Sequence, residues 1–159
     1  MNKPPIKSPG IQYLARVVEK EIRHLRQTDE RLFATPFTRE KVAQLEQDVE
    51  LSERVDAFVT RFGRLQDTVG DKLLPQYLSA VGEVTGVVID NLNRAEKLGL
   101  INSAEDWIAL RNMRNAMIHE YMEDLDELAK ALNRAHENVD MLSEDAKRIL
   151  SDLESRGWL

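Results

Sequence analysis

The residues best equipped for chemistry lie in one short stretch: Arg111-Asn112-Met113-Arg114-Asn115-Ala116-Met117-Ile118-His119-Glu120-Tyr121. Arginine offers phosphate oxygens a planar fork of donors and stays charged. Histidine exchanges a proton near neutral pH, and asparagine can orient a ring nitrogen or a phosphate. On an unbroken helix, residues four apart share a face. Arg111, Asn115 and His119 then form one polar stripe with Asn112 near it, and Arg114 and Tyr121 form a second stripe beside the first. Arg114 and His119 stand ~7.5 Å apart along an ideal axis and roughly 140° around it. That is too far for a tight pair, but they could flank one substrate group or meet across a symmetric dimer. The matching chemistry is metal-independent RNA cleavage: the neighbouring 2′-hydroxyl attacks the phosphate, His119 handles the proton and Arg114 the developing charge. Spacing alone favours a plainer arrangement, with Arg111 and Arg114 as solvated helix charges and His119 capping the helix end.

Other site chemistries find little support. The chain has no cysteine, so it holds no thiol nucleophile, disulfide or Cys-based zinc site. No glycine-rich phosphate loop appears. His119-Glu120-Tyr121-Met122-Glu123 opens like a zinc-protease helix but lacks the second histidine at its fifth place. Glu21 and His24 supply one Glu-x-x-His unit of the two that a di-iron bundle needs, and neither His119 nor His136 supplies the other. Glu21 and His24 read as a solvated helix pair. No nucleophile-elbow pattern supports a Ser-His-Asp arrangement. Neither a metal nor a cofactor is expected.

The elements that must position the arginines are helices. Pro4, Pro5 and Pro9 mark residues 1–9 as an extended lead-in, followed by a single domain over 10–159. Ile11, Leu14, Val18, Ile22 and Leu25 share one helical face, and that helix ends before Thr35-Pro36. Thr38 is an N-cap for a short helix. Leu51, Val55, Phe58, Phe62, Leu65 and Val69 form a heptad-like stripe along one long helix. Gly63 inside it suggests close approach of another backbone, and Gly70 and Pro75 break or bend it. A helix from about Thr85 to Leu98 carries Val88, Leu92 and Ala95, with Gly99 as its left-handed C-cap residue. Ser103, with Asp106 three residues on, caps the helix that carries Trp107, Arg111, Arg114, His119 and Tyr121. Leu125, Leu128, Leu132, Ala135, Val139, Leu142, Ala146, Ile149 and Leu153 run along one last helix that Gly157 ends. Its far end, past Leu142, has three options: to fold back, to project, or to pair with a second chain. The expected fold is an all-α, up-and-down bundle of about five helices.

Length and charge bound the rest. The 159 residues suit one domain, and 28 acids against 22 lysines and arginines give a net charge of −6. That balance argues against a general nucleic-acid coat and leaves a local basic site open. No apolar run approaches the roughly 20 residues that span a bilayer, and the start has no apolar signal region. We expect a cytoplasmic protein with no membrane partner.

The motif Arg114-Asn115, then His119-Glu120-Tyr121, resembles the Arg-x4-His-x-Tyr pattern of HEPN domains. The chain is most similar to their HepT-type branch, toxins paired with minimal nucleotidyltransferase antitoxins. The likeness continues through Ile89 to Leu100, Trp107 to Arg111 and Arg61 to Asp67, covering most of the chain from about residue 50. It implies a HEPN-like helical homodimer with a shared cleft and a metal-independent ribonuclease activity. Carried over, Arg114 and His119 are the catalytic pair and Asn115 the polar residue that follows the arginine. Tyr121 is the hydroxyl that the antitoxin modifies with AMP. Arg111 lies outside the motif, and its supporting role rests on the shared stripe. Two alternatives keep the same residues: a non-catalytic nucleotide- or substrate-binding subunit of a nucleotidyltransferase, and a structural helical interaction module.

Overall fold

A computed structural model describes residues 9–118 and 122–159. Among the described residues every regular element is helical. The chain forms α1 (Pro9–Leu32), α2 (Arg39–Ala43), α3 (Val49–Asp67), α4 (Leu74–Ala80), α5 (Val88–Lys97), α6 (Ala104–Met113), α7 (Leu125–Glu137) and α8 (Val139–Ser155). Six of these, all but α2 and α4, are ten residues or longer, against the five or so expected. Helix α1 begins at Pro9, which the sequence had placed in the lead-in; a proline fits the first helical position because its missing N–H has no partner there.

The apolar stripes do what their spacing implies. Ile11, Val18 and Leu25 of α1 meet Val55, Phe58, Phe62 and Leu65 of α3, and all are fully buried. Burying each such side chain contributes roughly 1.5–3 kcal/mol. Helix α8 packs on α1, α5 on α6 and α2 on α7. The caps also follow the sequence: the Thr38 and Ser103 hydroxyls accept from the backbone N–H groups of Lys41 and Asp106. Gly99 adopts φ 74° and Gly157 φ 72° at the ends of α5 and α8.

Three expectations change. The last apolar stripe belongs to two helices, α7 and α8, which part at Asn138 with φ −107° and ψ 4°. Leu128 through Leu153 of that stripe are buried within the one chain, so the far end neither projects nor offers this stripe to a second copy. The sequence expects Gly70 and Pro75 to break or bend the second long helix; its α-helix ends at Asp67, but the chain stays helical across both residues. Thr68–Leu73 widen into a π turn, and Pro75 follows in the first turn of α4, where a missing N–H is tolerated. The helix opened by Ser103 ends at Met113, and Arg114–Met117 tighten into a 3-10 turn. Ile118 is already extended, with φ −80° and ψ 92°.

Candidate functional site: an arginine cleft between α3 and the end of α6

Helix α6 is fixed at its start by burial. Trp107 is fully buried, and its indole N–H donates to Asp145 Oδ2 of α8 at 2.8 Å. The other Asp145 oxygen accepts from Arg148 Nη1 at 3.1 Å, and the same Arg148 atom donates to the Leu100 carbonyl at 3.2 Å. Burial pushes the Asp145 carboxyl above its ordinary range, while the Trp107 and Arg148 contacts pull the other way.

The far end of α6 delivers the arginines. The backbone N–H of Arg114 bonds the Arg111 carbonyl, a 3-10 closure. In a 3-10 turn residues three apart eclipse one another. Arg111 and Arg114 therefore point the same way, toward α3, rather than along two separate stripes. Arg114 Nη1 and Nη2 donate to the two oxygens of Asp67 at 2.6 and 3.1 Å. Arg111 Nη1 donates to Asp71 Oδ1 at 3.0 Å and lies 3.7 Å from Asp67 Oδ1.

Glycines make this approach feasible. A Cβ on Gly63 would stand 2.8 Å from Arg114 Nη2 and 2.9 Å from its Nε. Gly63 therefore admits a side chain, the Arg114 guanidinium, and not another backbone as the sequence suggested. A Cβ on Gly70 would reach Arg111 Nη1 at 3.7 Å, an ordinary contact. The π turn begins one residue past Asp67 and includes Asp71. Such turns recur at functional sites because they re-aim side chains.

The result is an open cleft of about 820 Å³. Its lining carries four cations, Arg64, Lys72, Arg111 and Arg114, against one acid, Asp67. Asn112, Asn115 and Thr68 add polar groups. A second groove of about 450 Å³ between α1 and α3 balances its arginines more closely with Glu50 and Glu53. The positive surplus is thus local, as an acidic chain with a basic site requires.

Behind the α3 wall, Thr68 Oγ1 donates to Glu21 Oε1 at 2.8 Å. Glu21 is partly buried rather than solvated, and its Oε2 finds no partner among the described residues. His24 is exposed. His136 instead pairs with Asp29 at 2.6 Å and stacks on Phe33 at 4.3 Å between ring centres, a contact that ties α7 to α1. Among the described residues, no group of three or more metal-ligating side chains comes together.

The structure thus brings Arg111, Asn112, Arg114 and Asn115 into one cleft. His119 and Tyr121 lie outside the described residues. Among the described residues, the α-helix on which the sequence placed Arg114 ends at Met113. The sequence reading missed Asp67 and Asp71 as partners of the arginines. The available signal was a glycine inside a helix with an aspartate four residues on. No helix among the described residues is long and apolar enough to cross a membrane. Comparisons with protein-family models, curated proteins and solved structures returned no match.

Proposed function

We propose that this chain is a metal-independent ribonuclease of the HEPN class and HepT-type branch, active as a homodimer with a shared cleft. The observation that carries the reading is the Arg114 guanidinium laid across Gly63 in a basic cleft, with Arg111 beside it. Gly63 lets the guanidinium seat against α3 and face the cleft, where a substrate phosphate would take the place of the Asp67 carboxylate on it. In the proposed step, the substrate's own 2′-oxygen bonds to phosphorus as the P–O5′ bond breaks, leaving a cyclic phosphate and a 5′-hydroxyl. Arg114 stabilises the charge on the phosphoryl oxygens. His119 manages proton transfer between the 2′-hydroxyl and the leaving oxygen. Asn115 and Arg111 support the phosphate. Tyr121 is the hydroxyl through which a nucleotidyltransferase antitoxin silences the site: an attached AMP adds negative charge and bulk a few residues from Arg114.

The test is cleavage of labelled RNA in EDTA. Wild-type protein is expected to cut despite the chelator, and His119→Ala to lose about 10²-fold or more in rate. Equal cleavage by His119→Ala would sink the assignment. RNA retained intact by the wild type would favour the non-catalytic binding subunit instead.

A further inference from the structure

The four cations of the cleft are not equivalent. Arg111 and Arg114 are held by Asp71 and Asp67. Arg64 and Lys72 line the same cleft from the α3 side, are exposed, and make no ion pair among the described residues. They stand eight residues apart, at most about 12 Å along a helix axis. Thr68 lies between them in sequence and also lines the cleft.

We propose that Arg64 and Lys72 form a phosphate-capture site for single-stranded RNA, distinct from the arginine pair and holding phosphates that flank the one addressed by Arg114. This rests on the ribonuclease reading and extends it to how the strand is held. A phosphate approaching Arg114 must compete with the Asp67 carboxylate, which already fills the guanidinium fork. A phosphate approaching Arg64 or Lys72 has no carboxylate within ion-pair distance to displace among the described residues, only the longer-range attraction of Glu21 to offset. First capture therefore falls to the two unpaired cations, and the paired arginines engage once the strand is in place. Two cations carried eight residues apart can each take a phosphate of their own, so the proposed site favours a strand over a mononucleotide. The acids facing this wall are Glu21, bonded to Thr68 from behind, and Asp67 and Asp71, committed to the arginines. None forms an ion pair with Arg64 or Lys72.

The test measures binding apart from cleavage. A fluorescent 2′-O-methyl oligouridylate has no free 2′-hydroxyl to attack, so anisotropy with the full chain reads binding alone. Wild type should bind it with an affinity that falls as salt rises. The Arg64→Ala/Lys72→Ala double variant should bind about tenfold or more weakly at low salt, with a salt slope smaller by about 1.4, or ~0.7 per lost phosphate contact. Between ~50 and ~200 mM salt, the variant should then lose about sevenfold less affinity than wild type. With cleavable RNA, the variant should raise KM more than it lowers kcat.

An unchanged affinity and slope in the double variant would overturn the capture site, as would failure of the wild type to bind the strand. Uridine 3′-monophosphate competing as well as the oligomer would refute the multi-phosphate span. If the variant weakens binding while His119→Ala leaves cleavage intact, the capture site stands and the nuclease assignment fails. If His119→Ala abolishes cleavage while the double variant binds normally, the reverse holds.

Discussion

The two ends of α6 carry similar chemistry in opposite settings. At its start, the fully buried Asp145 is clasped by the Trp107 indole and by Arg148. At its end, Asp67 is clasped by Arg114 in an open cleft, with side chains 42% and 32% exposed respectively. In the first cluster the carboxylate and the indole are closed off from water, and only Arg148 reaches the surface, its side chain 40% exposed. The second is wet, surrounded by further cations, and opposed by a carboxylate that a stronger anion can displace. A buried charged cluster is costly to break because a partner is left unsatisfied. An exposed ion pair contributes only about 0–1 kcal/mol. The same helix is thus anchored at one end and adjustable at the other.

The largest way to break this contrast is to remove the anchor. Trp107→Ala deletes a fully buried ring and leaves Asp145 without its indole donor. We expect a loss of about 3–5 kcal/mol in urea unfolding. A loss below about 1 kcal/mol, the range of an exposed pair, would mean that the start of α6 is no more structural than its end.

The helices of this bundle were legible because three-and-four spacing of apolar residues reports directly on burial. Ile11 through Leu25 and Val55 through Val69 all face the core as the pattern implies. The breaks were not legible. Asn138 interrupts α7 and α8 without disturbing the apolar spacing, so the stripe reads as one helix. The π turn and the 3-10 turn each change the helical register by one residue, and no residue type marks that. The arginines were visible as a motif, but their partners were not. Asp67 lies 47 residues from Arg114, and Asp71 lies 40 from Arg111. Pairs so distant are set by how helices pack, which local spacing does not encode. Gly63 was the nearest thing to a signal: its cost inside a helix implied a close approach, though not that a guanidinium makes it.

That glycine gives the next test, aimed at the open end. Alanine is favoured over glycine inside a helix by about 1 kcal/mol. At Gly63 the new Cβ would stand 2.8 Å from Arg114 Nη2, so the guanidinium must move. In an Arg114→Ala background that clash is gone. Gly63→Ala should therefore stabilise the Arg114→Ala protein by about 1 kcal/mol and stabilise wild type by less, or not at all. The double-mutant cycle should show a coupling of about 0.5–1.5 kcal/mol. A coupling of zero in thermal unfolding would mean that Gly63 does not exist to seat Arg114.

The smallest effect separates the carboxyl behind the cleft wall from those inside it. Burial holds the Glu21 carboxyl above its ordinary value of 4.5, against the Thr68 hydrogen bond and the nearby positive charges of Arg64 and Lys72. A carboxyl with a raised pKa binds its proton more tightly in the folded chain than in the unfolded one. Folding stability should then fall as pH rises from 4.5 through the folded pKa and return on acidification across the same window. Asp29 and Asp145 are shifted in the same direction by burial, so the wild-type curve sums several groups. Glu21→Gln isolates one of them. The amide oxygen still accepts from Thr68, and the titrating proton is gone. The difference between wild-type and variant urea-unfolding curves should slope by less than about 1.4 kcal/mol per pH unit, the limit for one proton. Its sign should show the variant gaining on wild type as pH rises through the window. A flat difference, or one of opposite sign, would place Glu21 in water rather than in the wall that Arg64, Thr68 and Lys72 present to the cleft.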